Sequence, residues 1–347
     1  MFKSKYFKLI GISVLTLTLA ACSNSVKNGA APEQNKAETK VEQKAPSYIY
    51  TANESGSIFK IDATTNKVVE TFKDEGSPHN VQVSPDGKMF AYTSAVKMEK
   101  GHTDHGSMSM NGSAIFYDVE TGKQIKKVEV GKHPAHIVFT EDGKYAVVTN
   151  NEDNNISIID AKTYKLINNV KVGKGPHGFR ISADSKFAYV ANMGEDTVSV
   201  VDIASNKEIK KIKVGKTPVT TAITKDGKTL VATVNAENYL AIVDLATDKI
   251  EKVSVGVGPA QVYLSTDDKY AFVANQGTEK NPSNTVSKVD LTTKQVVATI
   301  ETGKGAHGVV VSPDNKFVYV TNMYEATVSV IDNETNKVIA TIPVDEE

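Results

Sequence analysis

The sequence predicts an all-β fold, a seven-bladed β-propeller made of four-stranded repeats of about 42 residues. The first observation is an aspartate that closes seven similar segments, with spacings of 56, 42, 42, 42, 46 and 42 residues. These aspartates are Asp62, Asp118, Asp160, Asp202, Asp244, Asp290 and Asp332. The second is that the intervening segments alternate apolar and polar residues and are rich in β-branched residues, which favours strands over helices. A period near 40 residues without a helical pattern is typical of a propeller.

Composition excludes several function classes. Of the 347 residues, 40% are hydrophobic and 23% are charged, as in ordinary folded proteins. The single cysteine excludes internal disulfides and multi-cysteine metal sites. The 40 lysines and arginines nearly balance the 41 aspartates and glutamates, so the chain as a whole does not attract nucleic acid. DNA binding would therefore need a local lysine face.

Residues 1–21 are predicted to be a signal peptide. Lys3, Lys5 and Lys8 precede an apolar run, Leu9–Ala21, that is shorter than the ~20 residues needed to span a bilayer. The run ends in Leu-Ala-Ala-Cys, which resembles the lipobox of bacterial lipoproteins. The resemblance implies a lipid on Cys22 and an extracytoplasmic chain anchored to the cell membrane. A plain secretory signal with an incidental cysteine is the alternative.

Residues 22–46 are predicted to be a lipidated, flexible tether. They are rich in Ser, Asn, Ala, Glu, Lys and Pro and contain few large apolar groups, a composition that cannot bury a core. The propeller is then expected over residues 47–347, with an inserted loop at 97–113.

Each repeat divides into four short strands bounded by turn residues. The first precedes a Ser-Pro-Asp-Gly-type turn, as at 81–83, and the second is rich in tyrosine and ends in asparagine, as at 317–322. The third alternates apolar and polar residues, as at 327–332, and the fourth follows an Asn-Lys or Gly-Lys turn, as at 338–342.

The Tyr-Val-Thr-Asn tetrapeptide at 319–322, followed by Val-Ser-Val-Ile-Asp at 328–332, resembles the YVTN-family β-propeller repeat of bacterial surface proteins. The resemblance covers about 300 residues, Ser47 to Val344, and implies seven four-stranded sheets around a central channel. The inner strand is found only six times, beginning near Pro78, Pro134, Pro176, Pro218, Pro259 and Ala306. Ser47 to Phe72 is therefore expected to supply the outer three strands of the closing blade, with its inner strand missing or formed by the tether.

Residues that all blades share are expected to be structural, because seven copies of a catalytic group serve no single site. The seven aspartates suit turns, in which they accept backbone N–H bonds. The asparagines Asn53, Asn150, Asn192, Asn275 and Asn322 also suit turn positions. Function is therefore sought where the repeat is broken.

The largest break is the loop at 97–113, which concentrates methionine and histidine. Its candidate metal ligands are Met98, His102, His105, Met108 and Met110. Thioether and imidazole groups suit copper, and the segment resembles the Met/His-rich segments of bacterial extracytoplasmic copper proteins. The alternative is a solvated loop whose methionines bind nothing.

Histidines at the starts of the inner strands form the second break: His79, His136, His177 and His307. Inner strands surround the channel, so these imidazoles are expected to gather at one mouth. Propellers of the cytochrome-type nitrite reductases and nitrous-oxide reductases use channel-mouth histidines for haem and copper, although this is an analogy of fold. The alternative is that they belong to the turn chemistry of the repeat.

The third break is Arg180, the only arginine in the sequence. Strand alternation places it on the face opposite the blade core, with Asn80, Gln82, Gln261 and Tyr263 at comparable positions in other blades. A polar ring with one guanidinium could bind a carboxylate, a phosphate or a nucleotide base. A structural ion pair between blades is the alternative.

These observations favour a lipid-anchored binding scaffold or carrier, with copper as the first candidate ligand and haem the second. The enzyme alternative is a propeller lactonase or lyase, or a haem or metal oxidoreductase, that uses the channel histidines. Lactonases of this type assemble carboxylates around a divalent ion, and the sequence contains no such non-repeating cluster. A further alternative is protein or DNA binding through one propeller face.

Overall fold

Seven antiparallel sheets make up the part of the chain that the computed structural model describes, residues 47–97 and 110–344. This arrangement confirms the predicted all-β, seven-bladed β-propeller. In each sheet the hydrogen-bonded order of the strands follows their order in the sequence, so every blade is a meander. The helical content of these ranges is one 3₁₀ turn, Asn235–Glu237, and no helix in them has the length and apolar character to cross a membrane.

The first three strands of the described residues form one sheet, blade 7: β1 (Tyr48–Asn53), β2 (Ser57–Asp62) and β3 (Lys67–Lys73). Blade 1 contains β4 (Ser77–Val83), β5 (Met89–Ala95), β6 (Asn111–Asp118) and β7 (Gln124–Lys132). Blade 2 contains β8 (Pro134–Phe139), β9 (Tyr145–Asn150), β10 (Asn155–Asp160) and β11 (Leu166–Lys171). Blade 3 contains β12 (Pro176–Ile181), β13 (Phe187–Asn192), β14 (Thr197–Asp202) and β15 (Lys207–Lys213).

The remaining three blades also have four strands each. Blade 4 contains β16 (Pro218–Ile223), β17 (Thr229–Val234), β18 (Tyr239–Asp244) and β19 (Ile250–Ser254). Blade 5 contains β20 (Pro259–Leu264), β21 (Tyr270–Gly277), β22 (Pro282–Asp290) and β23 (Gln295–Glu301). Blade 6 contains β24 (Ala306–Val311), β25 (Phe317–Asn322), β26 (Thr327–Asp332) and β27 (Lys337–Pro343).

The hydrophobic core lies between the blades. Seven apolar clusters each join one blade to the next. Two of them close the ring: Tyr319 of blade 6 packs with Phe59 of blade 7, and Ile58 of blade 7 packs with Phe90 of blade 1. Because a single sheet cannot bury its faces alone, the blades stabilise one another only as a ring.

The shared polar residues have structural roles, as expected. Asp62 Oδ1 accepts hydrogen bonds from the backbone N–H groups of Thr64 at 2.7 Å and Thr65 at 2.9 Å, and these bonds lower the pKa of Asp62. Four of the asparagines lie at strand ends and Asn275 lies within β21, so none of the five lies in a turn. Asn192 is buried, and its Nδ2 donates to Ser199 Oγ on the neighbouring strand at 2.8 Å.

The six inner strands share a β-bulge near their starts. In β12, for example, the pairing with β13 shifts register between Pro176 and Phe179, and the other five inner strands shift at the equivalent place. The predicted channel histidines all lie within these irregular segments. A bulge re-aims a side chain out of the regular alternation, which the sequence pattern does not reveal.

Blade 7 has three strands within the described residues, which confirms that Ser47 to Phe72 supplies its outer strands. A cavity of about 400 Å³ is lined by residues of β1, β4 and β24, the strands that would surround a seventh inner strand. Formation of that strand by the tether stays a prediction, because residues 22–46 lie outside the described ranges.

Candidate functional site

Three of the predicted histidines, from three consecutive blades, meet at one end of the channel. His79 lies on β4, His136 on β8 and His177 on β12, and one ligand nitrogen from each lies within 4.8 Å of the others. The ring centroids of His136 and His177 are 4.9 Å apart, and those of His79 and His177 are 5.1 Å apart. Within the described ranges this is the one group of three or more histidine, cysteine or carboxylate side chains close enough to share a metal ion.

The hydrogen-bond partners of two imidazoles fix their tautomers. Nδ1–H of His79 donates to Glu54 Oε1 at 2.8 Å, and Nδ1–H of His177 donates to the backbone carbonyl of Val219 at 3.2 Å. A carboxylate or carbonyl oxygen can only accept, so the proton of each neutral ring is on Nδ1 and the lone pair is on Nε2.

The two Nε2 atoms of His79 and His177 are 3.1 Å apart. Two lone pairs facing each other at this distance repel unless a proton or a metal cation lies between them. A tetrahedral metal with nitrogen ligands at ~2.0–2.1 Å holds adjacent ligand atoms about 3.3 Å apart. The observed separation therefore suits two ligands of one metal ion.

His136 is fully buried, and neither of its ring nitrogens has a hydrogen-bond partner. Buried polar groups without a partner are rare and need an explanation. Burial lowers the pKa values of His136 and His177 well below the ordinary value for histidine, so both rings are neutral at neutral pH. The neutral ring is the form that binds a metal.

Glu54 is a site residue that sequence reasoning missed. It follows β1 in blade 7, and the hydrogen bond from His79 lowers its pKa, so the carboxylate is ionised at neutral pH. A carboxylate on the distal nitrogen of a histidine orients the ring and raises its basicity as a ligand. The sequence does contain one signal at this position, because Glu54 is acidic. The residue that follows the corresponding asparagine in four other blades is neutral: Asn151, Met193, Gln276 or Met323.

The fourth predicted histidine, His307, does not join the cluster of three. It lies on β24 and lines the same 400 Å³ cavity as His79, and burial lowers its pKa to about 4. His133, just before β8, has a side chain that is 54% exposed, and its Nδ1 lies 3.7 Å from Glu152 Oε1. It therefore lies apart from the cluster.

All five predicted polar channel residues line the 400 Å³ cavity, and two of them also connect neighbouring blades. Asn80 Oδ1 accepts from the backbone N–H of Ile137 at 3.2 Å, and Gln82 Oε1 accepts from that of Phe139 at 3.1 Å. These two side chains therefore join blade 1 to blade 2. The other three are Arg180, Gln261 and Tyr263, and the Arg180 guanidinium lies 5.2 Å from the centroid of the Tyr263 ring.

A family model described as YNCE-like beta-propeller matches residues 107–346, more than half of the chain. The chain belongs to the YNCE-like β-propeller family. The match supports the propeller that the repeats predict, and the finer YVTN assignment stays a prediction. No curated protein matches this YNCE-like chain significantly.

Solved structures resemble the YNCE-like chain in fold. Kuenenia stuttgartiensis hydrazine synthase matches with a TM-score of 0.70 and 23% identity, covering 82% of this chain and 92% of that chain. The dihydro-heme d1 dehydrogenase NirN, solved in complex with DHE, matches with a TM-score of 0.61 and 13% identity, covering 85% of this chain and 72% of that chain. At these identities the likeness concerns the fold alone.

Several predicted site residues of this YNCE-like protein lie outside the described ranges. They are Cys22, Met98, His102, His105 and Met108. Met110 is described and is 63% exposed, next to the start of β6. The lipid anchor and the copper-binding loop therefore stay predictions.

Proposed function

We propose that this protein is a lipid-anchored, extracytoplasmic metal-binding propeller that holds one transition-metal ion on His79, His136 and His177. The proposal rests on the Nε2 atoms of His79 and His177, which lie 3.1 Å apart. Each Nε2 carries a lone pair because the proton of its ring is on Nδ1, where it is donated to another group. The third, unpartnered imidazole of His136 favours a metal over a shared proton. A shared proton joins only two nitrogen atoms, whereas a metal ion coordinates three or four.

Copper is the first candidate for the ion. A site of imidazoles with one carboxylate-oriented ring suits Cu(II) and Zn(II), and Cu(II) binds such nitrogen ligands most tightly among the divalent first-row metals. Neutral histidines bind without first losing a proton, which maintains affinity at neutral pH. We assign the protein the role of carrier or scaffold. Haem binding and enzymatic activity are the alternatives to this role.

The test uses the mature chain with Cys22→Ser, which removes the proposed lipid site and keeps residues 23–347. Isothermal titration with Cu(II) and elemental analysis are expected to give one ion per chain. Electron paramagnetic resonance is expected to show nitrogen hyperfine coupling from the histidines. A Soret band in the purified protein would instead favour haem.

The matched variants are His177→Ala, inside the cluster, and His133→Ala, which changes an exposed histidine in the neighbouring segment. We expect His177→Ala to bind Cu(II) at least tenfold more weakly and His133→Ala to bind as the parent does. Equal affinity of the parent and His177→Ala would contradict the metal site.

The proposed anchor and the loop have tests of their own. Unaltered Cys22 is expected to place the protein in the membrane fraction, and Cys22→Ser to release it. Deleting residues 98–110 tests the Met/His loop, because a Cu(I) site there would be lost while the histidine cluster still bound Cu(II). Equal Cu(I) uptake with and without the loop would remove copper binding from that segment.

A further inference from the structure

The channel contains a second polar region, which borders the proposed metal site at His79. The 400 Å³ cavity beside β1, β4 and β24 extends across the channel to Arg180 and Tyr263. Arg180 also lines a second cavity of about 330 Å³, together with Glu141 and Lys225. The guanidinium thus borders both cavities, whose volumes are at the lower end of the range of small-molecule sites.

The cationic side chain of Arg180 has little of its hydrogen-bonding capacity in use. Its Nη1 donates to the backbone carbonyl of Phe179 at 3.0 Å, and within residues 47–97 and 110–344 it forms no ion pair. A guanidinium has five N–H donors in a planar fork that matches a carboxylate. Burial lowers its pKa, and the negative charge of Glu141 offsets that effect only in part.

Two residues that line the cavity on β1, Tyr50 and Thr51, have buried hydroxyl groups without partners. Thr51 is 6% exposed and Tyr50 is half-buried, and the buried hydroxyl oxygens of both lack a hydrogen bond. The equivalent threonines of other blades are satisfied. Thr149 Oγ1, for example, accepts from the N–H of His136 at 2.9 Å and donates to the carbonyl of His177 at 2.7 Å. Thr51 lacks such partners because no inner strand of its own blade lies beside it in the described residues.

We infer that this cavity binds a small organic carboxylate, with Arg180 as the bidentate anchor. The Tyr263 ring beneath the guanidinium holds the fork in place through a cation–π contact. One guanidinium matches the single charge of a carboxylate, whereas a phosphate dianion would leave one negative charge uncompensated in a partly buried cavity.

The test uses the Cys22→Ser chain freed of metal with a chelator that is then removed by dialysis. Lactate and acetate, each with a single negative charge, are the carboxylate probes, and lactamide and inorganic phosphate are the controls. Binding is followed by isothermal titration and by the shift in unfolding temperature. We expect a carboxylate to bind and stabilise the protein, and lactamide and phosphate to bind at least tenfold more weakly.

Arg180→Gln removes the charge and is expected to weaken carboxylate binding by about tenfold to a hundredfold, as when a charged hydrogen bond is lost. Lys171→Gln removes a positive charge from the exposed end of β11 and is expected to leave carboxylate binding unchanged. His177→Ala is expected to keep carboxylate binding while losing Cu(II), so the failure of either site can be recognised separately.

Three results would overturn the inference. They are the absence of binding by both carboxylates, equal binding by the parent and by a folded Arg180→Gln protein, and equal affinity for phosphate and carboxylate.

Discussion

The buried threonine on the second strand of a blade offers a sharp test of how the inner strands are held. In blade 2, Thr149 Oγ1 accepts from the N–H of His136 at 2.9 Å and donates to the carbonyl of His177 at 2.7 Å. The hydroxyl therefore connects the inner strands of blades 2 and 3 at the histidine cluster. The equivalent Thr51 in blade 7 has an unpartnered Oγ1. Replacing each threonine by valine keeps the shape and removes only the hydroxyl.

The expected magnitudes follow from these contacts. Thr149→Val leaves the buried N–H of His136 without an acceptor, which costs about 1–3 kcal/mol. Thr51→Val removes a buried hydroxyl that has no partner, so we expect a change within about 0.5 kcal/mol or a slight stabilisation. With an unfolding entropy of ~2.1 cal/mol/K per residue, a loss of about 2 kcal/mol in a propeller of this size lowers the unfolding temperature by about 3 °C.

Urea denaturation followed by circular dichroism measures the free energy of unfolding of the parent and the two variants. The sequence has no tryptophan, so tyrosine fluorescence supplies the second probe. Equal destabilisation by Thr51→Val and Thr149→Val would refute the reasoning. It would indicate that a seventh inner strand donates to Thr51 and fills the cavity.

Three further predictions concern the histidine cluster and its surroundings. Glu54→Gln removes the charge that orients His79, so Cu(II) affinity should fall about tenfold to a hundredfold with little change in urea stability, and an unchanged affinity in calorimetry would argue against this role. The lowered pKa of His307, about 4, means that between pH 6.5 and 4 the unfolded state binds more protons than the folded state. The free energy of unfolding of the metal-free protein should therefore fall on acidification through this window, and His307→Gln should reduce that fall. Gly178→Ala places a Cβ 2.8 Å from the carbonyl oxygen of Val219 and against Thr220 Oγ1. This clash should displace β12, lower the unfolding temperature by several degrees and weaken Cu(II) binding. A variant as stable as the parent would show that β12 can move without cost.

The candidate site could be predicted from the sequence only in part. The interruption of the repeat by histidine identified His79, His136 and His177, and the inner-strand register placed them near the channel. It did not separate them from His307, because the bulges that set the direction of each imidazole are not visible in the strand alternation. Glu54 was missed because it lies in a turn of another blade, distant in sequence from the histidine that it contacts.

Asn80 and Gln82 illustrate a second limit of predicting the site from the sequence. Their polarity and register predict a channel ligand role, and both residues line the 400 Å³ cavity, but only the structure shows that their side-chain oxygens already accept bonds from the inner strand of the next blade. A sequence pattern identifies a polar side chain on a given face, but the neighbouring backbone determines whether its hydrogen bonds are already satisfied.

The sequence alone determined the repeat, the seven blades, the three outer strands of blade 7 and the residues that depart from the repeat. These features follow from local periodicity, since alternation and turn chemistry act over a few residues. Only the tertiary structure decided which of those residues meet, how two imidazoles obtain lone pairs 3.1 Å apart and why Thr51 lacks the partners that Thr149 has. Those outcomes depend on closure of the ring and on the bulges of the inner strands, which bring together side chains that lie as many as 98 residues apart, as His79 and His177 do.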